Sequence, residues 1–183
     1  ARDALGLPQA GPVVALLPGS RRSEIQYIAQ PILQAALLLQ QRRPGLRLVL
    51  PVAPGLRSAI EALVPAGLEL TIVDGRSHEV LAACDTTLIA SGTATLEAAL
   101  FKRPMVIAYR MHPLSWSLMK RMAYQPWVGL PNILCEDFVV PELIQERCTP
   151  EALADAAMAS LDDTSARDRL VRRDAEAAEL MQQ

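Results

Sequence analysis

The sequence predicts an α/β fold, a doubly wound parallel sheet with trailing helices. Three observations carry this reading. Short apolar runs alternate with helical patterns along the chain. Two of these runs end in strand–glycine–helix elbows, Leu16-Leu17-Pro18-Gly19-Ser20-Arg21 and Ile89-Ala90-Ser91-Gly92-Thr93-Ala94-Thr95-Leu96-Glu97. Among the 183 residues, 51% are hydrophobic and 21% charged, enough apolar material for a real core and too little charge for disorder. Aromatics are only 4%, so packing rests on Leu, Ala, Val and Ile.

The elements follow in order. Residues 13–17 form an apolar run closed by Pro18-Gly19. Ser23, with Gln26 three residues on, offers a capping box for a helix to about Gln41. Its apolar face includes Ile25, Ile28, Ile32, Leu33 and Ala36, and Pro31 should kink it by removing a backbone donor. Pro44-Gly45 turns into a buried strand over 46–52, and a short helix over 58–64 ends at Pro65 and Gly67. A third strand spans 68–73, Asp74-Gly75 turns, and Ser77 caps a helix through Ala83. Residues 86–90 are the fourth strand and feed the second elbow, whose helix runs from Thr93 to Phe101. Residues 104–109 are the fifth strand. Beyond it, Pro141 should introduce a helix, and Thr149-Pro150 is an N-cap followed by proline at the first helical position. Residues 150–183 are then helical and charged.

Composition also excludes several classes. Cys84, Cys135 and Cys148 are widely spaced without a CxxC pair, and His78 and His112 lie far apart, so neither a zinc site nor a disulfide framework is expected. No apolar signal-peptide core follows Arg2-Asp3, and the richest apolar stretch, 35–39, is too short to span a bilayer. The net charge of −2 divides into +5 over residues 1–135 and −7 over 136–183. The basic part suits an anionic ligand but is too dilute for nucleic acid.

In a parallel sheet both elbows fall on one edge, beyond the carboxyl ends of the strands, where helix N-termini present unpaired N–H groups. That points to a phosphate-bearing ligand. The first elbow is neither GxGxxG nor a Walker A loop, and its glycine could simply permit a tight turn. Arg21 beside it could close a guanidinium fork over a diphosphate. At the second elbow, Ser91, Thr93 and Thr95 could be ordinary caps. Glu97 could favour the helix end electrostatically or accept hydrogen bonds from a ribose diol. Asp74, Asp85 and Glu79 are turn or cap residues. The 111–127 segment gathers Trp116, Trp127, Tyr124, Lys120 and Arg121, which suits core or an interdomain face more than direct contact with a membrane interface.

LLPGSRRSEI, LIASGTATLEAAL, PMVIAYR and VGLPNIL, in this order and spacing, resemble the lipid-A-disaccharide synthase family over nearly the whole chain. The resemblance implies a Rossmann-like carboxyl-terminal domain of a GT-B glycosyltransferase across 1–183, with 150–183 as terminal helices. It places the acceptor domain and its aspartate general base outside this chain. It implies transfer of diacylated glucosamine from UDP-2,3-diacylglucosamine to an acylated glucosamine phosphate, with inversion, giving the β-1,6 lipid A disaccharide and UDP. No metal or cofactor is implied. The location implied is cytoplasmic, peripheral at the inner face of the inner membrane, with a membrane surface and a homodimer as further possible partners. Matched onto the family motifs, Arg21 and Asn132 are the catalytic positions. Gly19 and Ser20, with Ser91, Gly92 and Thr93, form the two loops at the diphosphate. Glu97 takes the ribose hydroxyls, and Tyr109 and Arg110 border the uracil or sugar. The competing readings are a related UDP-sugar epimerase or transferase and a non-catalytic nucleotide-binding module.

Overall fold

The computed structural model describes residues 1–101, 103–110 and 142–162. Six strands form one parallel sheet: β1 (Val13–Leu17), β2 (Arg47–Val52), β3 (Thr71–Asp74), β4 (Thr86–Ala90), β5 (Met105–Tyr109) and β6 (Glu142–Ile144), in the order β3-β2-β1-β4-β5-β6. Every residue of β1 and β4 is buried, as expected of central strands covered on both faces. Their side chains alternate between two cores. Val14, Leu16, Leu48, Leu50, Leu88 and Val106 face one side, and Val13, Ala15, Leu17, Val49, Ile89 and Ile107 face the other.

The first face is covered by a continuous helical segment: α1 (Arg22–Glu24), a π-helical turn (Ile25–Ala29) and α2 (Gln30–Arg42). The expected Pro31 kink takes a specific form here. Pro31 occupies the start of α2 immediately after the π turn, so the helical ladder is re-registered just before the residue that cannot donate. Ile25, Ile28, Ile32, Leu33 and Leu39 are buried against the sheet. The last described helix, α6 (Pro150–Asp162), returns over this face and packs on α2 through Leu153, Ala154 and Ala157. Arg42–Asp155 at 2.5 Å and Arg43–Asp162 at 3.3 Å flank that contact. These exposed pairs contribute about 0–1 kcal/mol each, so apolar burial carries the packing. The expected cap is present: the Thr149 hydroxyl accepts the Ala152 N–H at 3.2 Å.

The opposite face is covered by α4 (Ser77–Ala83) and α5 (Thr93–Leu100), with Leu5 and Leu7 of the leading segment beside them. α3 (Arg57–Glu61) links β2 to β3 and is shorter than expected.

Several local expectations are corrected. The first helix begins at Arg22, so Ser23 lies inside it and does not cap it. Ser77 is the first helical residue of α4, and Arg76, at φ 61°, holds the cap position. The third strand covers Thr71–Asp74, because Leu68 and Leu70 pack against the core outside the ladder. Where Pro141 suggested a helix, Glu142–Ile144 instead adds a sixth strand to β5, pairing Ile107 with Glu142. Three residues are too few for a period to show in sequence.

Cys84 and Cys148 are buried free thiols, as expected of unpaired structural cysteines; Cys135 lies outside the described residues. Burial pushes the Cys84 thiol up to about 12, since a thiolate there would lose its hydration. Native protein at pH 8 should therefore leave Cys84 unmodified by iodoacetamide while denatured protein alkylates it. Peptide mass spectrometry reads the difference, and rapid native labelling of Cys84 would contradict its burial.

Candidate functional site

The strand order decides where a ligand can sit. β1 is flanked by β2 and β4, so chain connections leave it in opposite directions, and a crevice opens between the carboxyl ends of β1 and β4. Leu17 pairs with Ile89 at that edge, which sets the two elbows side by side. A cleft of about 350 Å³ lies there. The first elbow contributes Gly19, Ser20 and Glu24; the second contributes Ser91, Gly92 and Glu97. The end of β2, through Val52, Ala53 and Pro54, and Ser77 of α4 close the remaining walls.

At the first elbow the backbone amides already have a partner. Glu24 Oε2 accepts the Ser20 N–H at 2.9 Å and the Arg21 N–H at 3.1 Å. Gly19 sits at φ 112°, and a Cβ there would lie 2.7 Å from Glu24 Cβ and 2.9 Å from its Cδ. Glycine is needed both for the backbone angle and for the space Glu24 fills.

The second elbow is built differently. The Ser91 N–H donates to the Ala108 carbonyl at 3.0 Å, which ties the loop to β5. Thr95 is buried, and its hydroxyl donates to the Gly92 carbonyl at 2.5 Å. Thr95 thus shapes the turn and does not cap an amide. Glu97 Oε2 stands 3.3 Å from His78 Nε2 on α4, and the His78 ring is 5.6 Å from that of Phe101. Both side chains of this pair are substantially exposed, and Glu97 also lines the cleft.

The structure thus gathers Gly19, Ser20, Ser91, Gly92 and Glu97 of the sequence-derived candidates around one cleft. Arg21 is exposed at the start of α1 and does not line the cleft. Tyr109 and Arg110, at the end of β5, also lie outside the lining, and burial raises the Tyr109 phenol. Asn132, the side chain of Thr93 and the 111–127 segment lie outside the described residues. Sequence reading missed Glu24 and the end of β2. Glu24 carried a signal, a glutamate three residues after the helix-opening position, where it can reach back to the first amides. Val52-Ala53-Pro54 carried none, because only strand order brings it here. Among the described residues there is no group of three or more metal-ligating side chains, and no helix long and apolar enough to cross a membrane.

The comparison that decides kinship is a family model described as lipid-A-disaccharide synthetase, which matches residues 1–183. The chain belongs to the lipid-A-disaccharide synthase family. It is 62% identical over 165 residues to the lipid-A-disaccharide synthase of Verminephrobacter eiseniae, covering 88% of this chain and 42% of that protein. It is 51% identical over 184 residues to that of Pseudomonas savastanoi, covering 96% and 48%. The chain therefore spans less than half the length of these relatives. Solved structures share the fold at low identity. The UDP-GlcNAc 2-epimerase of Neisseria meningitidis bound to UDP-GlcNAc has a TM-score of 0.64 at 12% identity, over 92% of this chain and 42% of that one. E. coli ADP-heptose LPS heptosyltransferase II has 0.62 at 15%, over 87% and 49%. Fold likeness joins this chain to epimerases and transferases alike. Sequence identity places it with the lipid-A-disaccharide synthases.

Proposed function

We propose that the chain is the UDP-sugar-binding part of a lipid-A-disaccharide synthase, with 1–183 acting as one nucleotide-sugar-binding unit. The observation that carries this is the coincidence of the full-length family match with a cleft at the topological switch point, lined by both elbows. In the proposed reaction, a hydroxyl of an acylated glucosamine phosphate attacks the anomeric carbon of UDP-2,3-diacylglucosamine. The bond to the diphosphate breaks, UDP departs with its electron pair, and the acceptor proton passes to a base outside this chain. Inversion gives the β-1,6 disaccharide.

Within that scheme this chain holds and orients the donor. Glu97, braced by His78, accepts hydrogen bonds from ribose hydroxyls. The N-terminus of α5, following Ser91 and Gly92, faces the diphosphate, where its dipole meets the developing charge. Arg21 closes onto the departing diphosphate, Asn132 takes the second catalytic role, and Tyr109 and Arg110 border the uracil or the sugar. The reading assigns the work to the inner face of the inner membrane, in keeping with acylated substrates, with 111–127 as the segment that meets the lipid surface or the other half of the enzyme.

Calorimetric titration tests the reading. UDP should bind the folded chain saturably and be displaced by the UDP-sugar donor, and transfer should appear once the remainder of the family protein is supplied. A folded chain that binds no UDP would refute the donor site. Binding without any complemented transfer would favour a non-catalytic module.

A further inference from the structure

Two ionisable side chains line the cleft, Glu24 and Glu97, and among the described residues no Lys, Arg or His lines it. Glu97 has a place in the donor scheme; Glu24 has none. Yet three independent features converge on Glu24. Its Oε2 holds the Ser20 and Arg21 amides at 2.9 and 3.1 Å. Its side chain fills the space that any Cβ at residue 19 would need. Glu24 is also one of the residues that line the cleft.

We infer that Glu24 is a positioning residue of the donor cleft, an internal anion that fixes the 18–21 elbow and leaves the donor's diphosphate to the α5 side. This rests on the donor-site reading above. The argument is one of hydrogen-bond accounting. A carboxylate accepting two backbone amides makes charge-assisted bonds, and each amide can donate once. With both amides engaged, the first elbow has no backbone N–H at Ser20 or Arg21 to give a phosphate. A diphosphate that displaced Glu24 would also leave a carboxylate charge beside its own. The cheaper arrangement keeps Glu24 in place, so the elbow serves the donor through shape and through the outward-facing Ser20 and Arg21 side chains. Gly19 is then required by an internal side chain and not by a ligand's close approach.

Glu24 acts through the elbow and not on the reacting atoms, so its test needs a readout beyond stability. Amide hydrogen exchange by NMR on the 183-residue chain, with UDP as probe, supplies one. Glu24→Ala should speed exchange at Ser20 and Arg21 by at least about tenfold and weaken UDP binding by about tenfold, which is about 1.4 kcal/mol. Glu24→Gln keeps an acceptor oxygen but loses the charge assistance, and should fall between the unsubstituted chain and Glu24→Ala in both properties. In the unsubstituted chain, saturating UDP should shift the Gly92 and Ala94 amides more than those of Ser20 and Arg21. Unchanged exchange in Glu24→Ala would overturn the assignment, as would UDP shifting Ser20 and Arg21 most. So would Glu24→Gln losing as much affinity as Glu24→Ala. If the unsubstituted chain bound no UDP, the donor site would fall, and the exchange data alone would still uphold or overturn Glu24 as the residue that fixes the elbow.

Discussion

Arg21→Ala should lower turnover of the assembled synthase by about 100-fold while leaving the fold intact. In the proposed transfer, departure of UDP would concentrate negative charge on the diphosphate, and a donor that closes onto it is worth about 10²–10³ in rate. The first elbow has little else to offer, since Glu24 engages the Ser20 and Arg21 amides. Among the described residues Arg21 makes no ion pair and its side chain is exposed, so removing it should change stability by no more than about 0.5 kcal/mol. Steady-state kinetics of the complemented enzyme, with a thermal melt of the variant, separates the two quantities. Unchanged turnover in a folded variant would remove Arg21 from the mechanism. Arg21→Lys should restore little, because an ammonium lacks the fork that spans two phosphate oxygens.

Leu16→Ala should destabilise the chain by about 2–5 kcal/mol, the range for truncating a fully buried leucine. Leu16 is 0% exposed in β1, opposite Leu88 in the register, and belongs to the core that receives α2 and α6. Neighbours on a sheet held from both sides collapse poorly into the space left behind, which favours the upper part of that range. Against a typical total of about 5–15 kcal/mol, such a loss is large, and urea unfolding should show a lower midpoint with little change in slope. Leu100→Ala is the control: Leu100 is 79% exposed, and its loss should change little. A variant at Leu16 as stable as its parent would mean that β1 is not the central strand.

Much of the architecture was legible because parallel strands buried on both faces are continuous apolar runs. Residues 13–17 and 86–90 were readable for that reason and match β1 and β4. β6 was not, since three residues at a sheet edge carry no period. The third strand was misplaced because Leu68 and Leu70 are apolar for packing and not for pairing. Pro31 announced a disturbance, and the structure shows its form, a π turn over Ile25–Ala29 just before it.

The site shows the same division. Gly19, Ser20, Ser91, Gly92 and Glu97 could be named in advance, because elbow chemistry is local: small residues, a positive φ, a helix start. Family membership was likewise written in the motifs. Arg21, read as the cation over the diphosphate, is exposed and does not line the cleft, whose wall includes Glu24. The sequence by itself thus determined the two elbows and the buried central strands that feed them. Tertiary structure alone decided that β1 and β4 lie side by side, that Val52 to Pro54 closes the cleft, and that His78 braces Glu97. The physical reason is range. Helix starts, turns and buried runs are fixed by interactions within a few residues. A cleft is a meeting of segments tens of residues apart, and only the burial of both sheet faces fixes their order.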